Sequence, residues 1–458
     1  LAENPIDQHW ADRPVASNTP ARLFPEAVAG ESSQSKRQRI AAQLRNNAAD
    51  ALLLTQNESI NWLLNIRGSD IPSLPVVNAF AVLYSNAALE LFIDPSRLDC
   101  QFNTHTGNDV SVYPADRLSE VLQRIGEDKL HVWLDSANTN AACGLQLQQS
   151  GAQLLDQPDP CLLAKACKND IEISGMLEAH RKDAIAVCQF LAWLDQATTE
   201  GLQSDEAQLA EKLECFRQLQ TGYLEPSFAT ISALGPNAAL PHYNFRNASP
   251  RTFGQDGIYL VDSGGHYDEG TTDITRTVCV GEVSDETRRL FTLVMKGHIA
   301  LSKAIFPKGT CGMQLDVLAR LPLWQAGFNY DHGTGHGVGH VLSVHEGPQR
   351  ISPKGSTTAL EAGMVLSNEP GYYREGAFGI RCENLVVVEP VAETGEIERY
   401  AFRNLTLVPF DKRLLLPELL TGEEKQWWNE YHNTVFQVLA PSLKSQELLW
   451  LEQATAAI

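Results

Sequence analysis

Nothing in the sequence spells a membrane span, a disulfide framework or a surface for polyanions. No apolar run approaches the ~18 residues that crossing a bilayer requires. The nine cysteines, scattered from Cys100 to Cys382, are odd in number and contain no Cys-x-x-Cys. That usage fits the reduced thiols of a cytoplasmic protein. Positive charge is the scarce sign: 36 Lys and Arg against 56 Asp and Glu leave a net charge of −20 and a pI near 5.0. Nucleic acids and anionic membranes both demand clustered Lys and Arg, so neither is expected as a partner, and the acidity reads as solubility. The opening residues Leu1-Ala2-Glu3-Asn4-Pro5 are neither basic nor apolar and show no secretory leader. Because the first residue is not methionine, the chain is expected to be processed or a piece of something longer. A phosphate-binding P-loop is also missing. The one glycine-rich stretch, His332-Gly333-Thr334-Gly335-His336-Gly337-Val338-Gly339-His340, has no Gly-Lys-Ser/Thr ending.

What is there is ordinary globular material. The 458 residues are 43% hydrophobic and 20% charged, which suits about two to four domains. Residues 1–35 are rich in Pro, Ala, Ser and Asn and read as a linker or extended arm, with Asn4-Pro5-Ile6-Asp7-Gln8-His9-Trp10 as its anchors. From residue 36 to about 165, helical and strand patterns alternate. Lys36–Asn47 is a helix, Ala51–Thr55 a strand, Val76–Tyr84 and Leu89–Ile93 a hairpin, Leu118–Ile125 a helix and Leu130–Leu134 a strand. That alternation predicts a compact α/β domain.

The second domain is expected over 166–458. It opens on helices Ile171–Ala197 and Ser204–Gln220, the latter capped by Ser204. Strands Asp256–Val261 and Thr271–Val280 then flank Ser263-Gly264-Gly265 as an antiparallel ribbon. Helices follow at Ser284–Ile305 and Asp316–Ala326, and apolar strands at Met364–Ser367 and Ile380–Val388. The tail from Glu418 to Leu451 reads as helical, its aromatics packing in a core or a dimer interface.

Acids at the ends of apolar strands carry the chemistry. Asp262 follows Leu260 and Val261, Glu369 closes Val365–Asn368, and Glu383 lies within the apolar run from Ile380 to Val388. Asp273, on the returning arm of the ribbon, can reach Asp262. Each acid alone has a bland reading, such as a surface bridge from Asp273 to Arg276 or a buried pair of Glu383 with Arg381. Four acids at positions that should be buried, with a glycine-flanked histidine, are hard to explain without cations, because packed carboxylates cannot all stay ionised unneutralised. Oxygen donors with one imidazole and no thiolate suit manganese, cobalt or zinc. Two such ions roughly 3.5 Å apart share a water and make it nucleophilic, which is hydrolytic chemistry.

In their order, Asp262, Asp273, His336, Glu369 and Glu383 resemble the five-ligand pattern of the pita-bread dinuclear metallopeptidases. Within that group the chain resembles the Xaa-Pro aminopeptidases (aminopeptidase P) of the cytosolic, animal-like type. The flanking stretches Trp62-Leu63-Leu64-Asn65-Ile66-Arg67-Gly68-Ser69-Asp70 and His345-Glu346-Gly347-Pro348 carry the same likeness. The resemblance implies an α/β (α+β) chain: a creatinase-like α/β middle domain, then a pita-bread catalytic domain, with the family's first N-terminal domain lacking.

It also implies the roles. Asp262 chelates one metal, Asp273 and Glu383 bridge both, and His336 and Glu369 hold the other. Glu369 exchanges a proton with a bridging hydroxide or water. His242, His332 and His345 contact substrate and handle protons, and Tyr373 and Arg381 support the substrate site. His340 matches nothing functional. The implied cofactor is two divalent ions, Mn2+ first, with Zn2+ or Co2+ as alternatives. The implied substrates are peptides with proline second, and the implied assembly is a homodimer. A prolidase (Xaa-Pro dipeptidase) uses the same ligands, and a non-catalytic peptide-binding protein or a methionine aminopeptidase shares the fold.

Overall fold

A computed structural model describes residues 6, 9–13, 17–201, 203–252, 257–392 and 395–458. They fall into two compact units, one of residues up to Pro160 and one from Cys161 onward, with Ala27–Gly30 belonging to the second. Of the anchors expected in the N-terminal arm, Asn4, Pro5, Asp7 and Gln8 lie outside the described residues. Ile6 and Trp10 are exposed, so they do not bury as expected.

The first unit is a mixed sheet with helices. Helix α1 (Ser33–Asn46) starts on Ser32, whose side chain accepts from the Ser35 amide. Then come β1 (Ala51–Leu54), α2 (Asn57–Leu64), β2 (Phe80–Tyr84), β3 (Leu89–Phe92), β4 (Val110–Tyr113), α3 (Leu118–Glu127), β5 (His131–Leu134), α4 (Ala141–Ser150) and β6 (Gln153–Asp156). The sheet order is β4-β3-β2-β1-β5-β6. The expected hairpin is the antiparallel β2–β3 pair, and β1–β5 and β5–β6 run parallel. Leu53, Val82, Phe92, Val121, Leu122 and Ile125 form its core. Each such side chain is worth about 1.5–3 kcal/mol of burial.

The second unit opens on the 30-residue helix α5 (Asp170–Thr199), whose Asn169 and Glu172 form a capping box. Helix α6 (Glu206–Gln218) starts two residues later than its pattern suggests, because Asp205 and Gln208 make the capping box rather than Ser204. Strands β7 (Tyr223–Pro226), β8 (Ile231–Leu234), β9 (Ile258–Ser263), β10 (Gly265–Tyr267), β11 (Gly270–Thr271) and β12 (Ile274–Cys279) follow. The expected ribbon is the β9–β12 pair, and Asp256, where it was expected to begin, lies outside the described residues.

Helix α7 (Asp285–Ser302), β13 (Ile305–Pro307), α8 (Gly312–Gln325), β14 (Gly335–Gly337), β15 (Glu346–Ile351) and β16 (Val365–Asn368) come next. They precede β17 (Gly371–Arg374), β18 (Phe378–Arg381), β19 (Asn384–Pro390) and β20 (Arg399–Asn404). A six-stranded sheet has the order β13-β20-β19-β16-β14-β15. The run Ile380–Val388 is therefore not one strand. It breaks at Cys382-Glu383, where β18 pairs with β17 and β19 joins the large sheet. The tail is likewise two helices, α9 (Gly422–Leu439) and α10 (Ser445–Thr455), separated at Pro441, which cannot continue a helix interior. Trp428, Tyr431 and Leu451 pack in the main core.

Candidate metal centre

The strand ends deliver five ligand-type side chains to one cleft of about 390 Å³. Asp262 stands near the end of β9, directly across from Thr275. Asp273 precedes β12, His336 is the middle residue of β14, Glu369 follows β16, and Glu383 fills the break between β18 and β19.

Donor atoms of His336, Glu369 and Glu383 lie within 4.8 Å of one another, and so do those of Asp262, Asp273 and Glu383. A third such group joins Asp273, His336 and His345. Glu383, Asp273 and His336 are thus each common to two groups. Asp262, Asp273 and Glu383 are buried. Burial, reinforced by the neighbouring carboxylates, pushes Asp273 and Glu383 well above the ordinary carboxyl range. Burial raises Glu369 too, against the pull of His336 and Arg381. Asp262 Oδ1 is buried with no hydrogen-bond partner, while its Oδ2 accepts from Arg381 at 2.5 Å.

The imidazole of His336 is set to accept. Its Nδ1 lies 2.9 Å from Gly337 O. A carbonyl can only accept, so Nδ1 carries the proton and Nε2 presents a lone pair. Nε2 faces Asp273 Oδ2 at 3.4 Å and Glu369 Oε1 at 3.5 Å, an arrangement in which the three atoms can share one cation. An orphaned carboxylate oxygen, crowded acids and an inward lone pair fit divalent metal.

Around this set runs a polar shell that sequence patterns did not reveal. Thr275 Oγ1 donates to Glu383 Oε2 at 2.7 Å and accepts from Arg381 Nε at 3.0 Å. Ser367 Oγ donates to Glu369 Oε1 at 3.2 Å. Arg276 does not pair with Asp273 at the surface. It is buried, reaching Val408 O at 2.6 Å and Asn384 Oδ1 at 2.9 Å, with Phe410 under its guanidinium. Arg381 is committed to Asp262, not to Glu383. On α8, Asp316 accepts from Thr334 Oγ1 at 2.6 Å and Arg320 donates to His332 O at 2.7 Å, fixing the glycine-rich loop. The signal for these residues is only that Thr and Arg sit beside ligand positions.

The histidines are not equivalent. His332 Nδ1 lies 2.7 Å from Gly333 O and is protonated by the same logic, so its Nε2 accepts from the Tyr373 hydroxyl at 2.9 Å. That hydroxyl in turn accepts from Arg381 Nη1 at 2.7 Å. Burial and the Arg381 charge push His332 down to about 3, and burial pushes Tyr373 up to about 12. Both nitrogens of His332 are thus hydrogen-bonded within the chain, although its ring lines the cleft. His242 and His345 line the cleft. Desolvation and His336, 4.3 Å away ring to ring, push His345 down to about 4. His340 is buried against Glu269 O at 2.8 Å, away from the acids.

Comparison with known proteins matches this geometry. Residues 174–390 match the model of metallopeptidase family M24, residues 12–172 a creatinase/prolidase N-terminal domain, and residues 398–458 the C-terminal region of M24 peptidases. A probable Xaa-Pro aminopeptidase P of Tuber melanosporum is 38% identical, covering 100% of this chain and 77% of its own length. The chain belongs to the Xaa-Pro aminopeptidase P group of metallopeptidase family M24. Aminopeptidase P1 of Arabidopsis thaliana is 36% identical over 99% of this chain and 78% of that one. The crystal structure of a Caenorhabditis elegans X-prolyl aminopeptidase, described as a cytosolic enzyme with a di-nuclear active site, superposes with a TM-score of 0.94. It is 36% identical, covering 100% of this chain and 76% of that one. An Xaa-Pro dipeptidase from Bacillus anthracis, 23% identical with a TM-score of 0.65, shares the fold. The chain thus places a creatinase-type domain before the pita-bread domain.

Proposed function

We propose that this chain is a metal-dependent aminopeptidase that hydrolyses the N-terminal Xaa-Pro bond of peptides. The observation that carries the reading is the pair of donor groups sharing Glu383, set in a cleft that His242 and His345 also line. Asp262, Asp273, His336, Glu369 and Glu383 would hold two divalent ions, with Asp273 and Glu383 between them. Manganese suits the oxygen-rich set best, and zinc or cobalt is also compatible. When bound, the ions supply Lewis acidity, making water nucleophilic near neutral pH and polarising the scissile carbonyl.

The remaining work belongs to the chain. The free amine of the substrate would bind beside Asp262 and the metal it holds, which restricts cleavage to the terminus. Glu369 takes a proton as water attacks the carbonyl carbon, and returns it to the proline nitrogen as the C–N bond breaks. His242 and His345 donate to the developing oxyanion. His332 holds its place through Tyr373. The bond before proline lacks an N–H, so no acceptor is needed for that atom.

This reading takes 1–35 as a linker, 36–165 as the creatinase-like domain and 166–458 as the catalytic domain. Cytoplasmic placement is supported by nine free cysteines and by a cytosolic relative. Among the described residues, no helix is long and apolar enough to cross a membrane. A homodimer is supported by α8, where Met313, Val317, Leu321 and Trp324 are all exposed on one face. Replacing Asp273 with Ala tests the centre. Bound metal and hydrolysis of an Xaa-Pro-Pro peptide should fall together, and retention of both would overturn the assignment. Turnover of Xaa-Pro dipeptides but not tripeptides would instead favour a prolidase.

A further inference from the structure

We infer that Arg350 selects substrates by binding a carboxylate on the leaving fragment, the part of the peptide that begins with proline. The inference rests on the aminopeptidase reading above. Arg350 is the Cα partner of His336 in the β14–β15 ladder, so the two side chains rise from the same face of the sheet. Both line the cleft. The only other cation in that lining is Arg381, and it is committed to Asp262, Tyr373 and Thr275. Arg350 is exposed, and among the described residues it has no carboxylate partner.

The direction of the peptide follows from the ends of the cluster. Asp262 groups with Asp273 and Glu383, whereas His336 groups with Glu369 and Glu383. Asp262 and His336 therefore mark opposite ends. With the amine at Asp262, the chain of the substrate runs past the acids toward His336, and its leaving fragment arrives beside Arg350. Arg350 is the residue placed at that far end to pair with an anionic group. The carboxylate has two sources: the C-terminus of a short peptide, or an acidic side chain after proline. A guanidinium fork binds either in the same way.

The test compares three tripeptides of the form Xaa-Pro-Yaa: Yaa as alanine free acid, alanine amide and aspartate amide. The wild type should cleave the alanine acid or the aspartate amide with a kcat/KM roughly tenfold above the alanine amide, a preference that weakens with salt. Preference for the alanine acid identifies the terminal carboxylate, and preference for the aspartate amide identifies the side chain. In R350Q the preference should shrink toward one, and R350K should retain part of it. Binding of the product Pro-Ala and of its amide, measured by calorimetry, should show the same Arg350-dependent difference without turnover. Equal kcat/KM for all three peptides, or a preference unchanged in R350Q, overturns the inference and leaves the aminopeptidase reading standing. Failure of the wild type to cleave any of them overturns both.

Discussion

The Thr275 hydroxyl donates to Glu383 Oε2 at 2.7 Å, although 108 residues separate the two in the chain. Thr275 also faces Asp262 across the β9–β12 ladder, so one small side chain sits between two of the clustered acids. Replacing it with valine keeps the shape and removes the donor. T275V should lose roughly 10–100-fold in metal affinity or activity while its thermal unfolding midpoint changes little. Titration with manganese checks this, and unchanged affinity and rate would show that Glu383 needs no such support.

Metal should also hold the fold. Ions that bind only the folded state at a hundred times their Kd add about 2.7 kcal/mol, and here they relieve repulsion among Asp262, Asp273, Glu369 and Glu383. Chelation should therefore lower the unfolding midpoint of the wild type by several degrees. D273A should show a much smaller difference between chelated and metal-supplemented samples. An equal shift in both proteins would place the stabilising ion elsewhere.

Tyr373 joins Arg381 to His332 through a single hydroxyl. In Y373F the His332 Nε2 loses its donor and Arg381 loses an acceptor. Hydrogen bonds to charged groups are worth about 1.5–3 kcal/mol, so kcat should drop by one to two orders of magnitude with bound metal unchanged. A wild-type kcat in Y373F would mean that the position of His332 does not matter to turnover.

Glu346 lies beside His345 and holds two buried lysines, Lys165 at 2.8 Å and Lys168 at 2.7 Å. Burial pushes its carboxyl up, but the two ammonium groups outweigh that and leave it below the usual range. A folded-state value below the unfolded one means stability that is present at neutral pH. It is lost as pH falls through the ordinary carboxylate range and below. E346Q leaves both lysines buried and uncompensated, which should cost about 3–5 kcal/mol at pH 7. Denaturant melts at several pH values should show the gap between wild type and E346Q narrowing as pH falls through and below the ordinary carboxylate range, where the depressed wild-type carboxylate at last takes up its proton. A gap independent of pH would indicate that shape rather than charge is lost.

Much of the fold was legible because its signals are local. The helix Asp170–Thr199 announces itself by period and by the Asn169–Glu172 cap, and the β9–β12 ribbon by its flanking apolar runs. Where neighbours in sequence compete, the reading slipped. Asp205 displaced Ser204 as cap because Gln208 completes its box. Glu383 looked like a strand interior because Ile380–Val388 is apolar throughout, yet two different sheets claim its two halves.

The sequence by itself determined which five ligand-type side chains exist and in what order, since each is marked by its own flanking pattern of apolar residues, glycine or Pro-Gly. Only the tertiary structure decided how they divide into overlapping groups around Glu383 and Asp273. It also decided which histidine nitrogens are hydrogen-bonded within the chain, because that depends on partners far away in the chain. His332 is engaged by Tyr373, 41 residues on, and Arg381 is taken by Asp262, 119 residues back. Such pairings are made by hydrogen-bond geometry at a few ångströms, and no spacing along the chain encodes it.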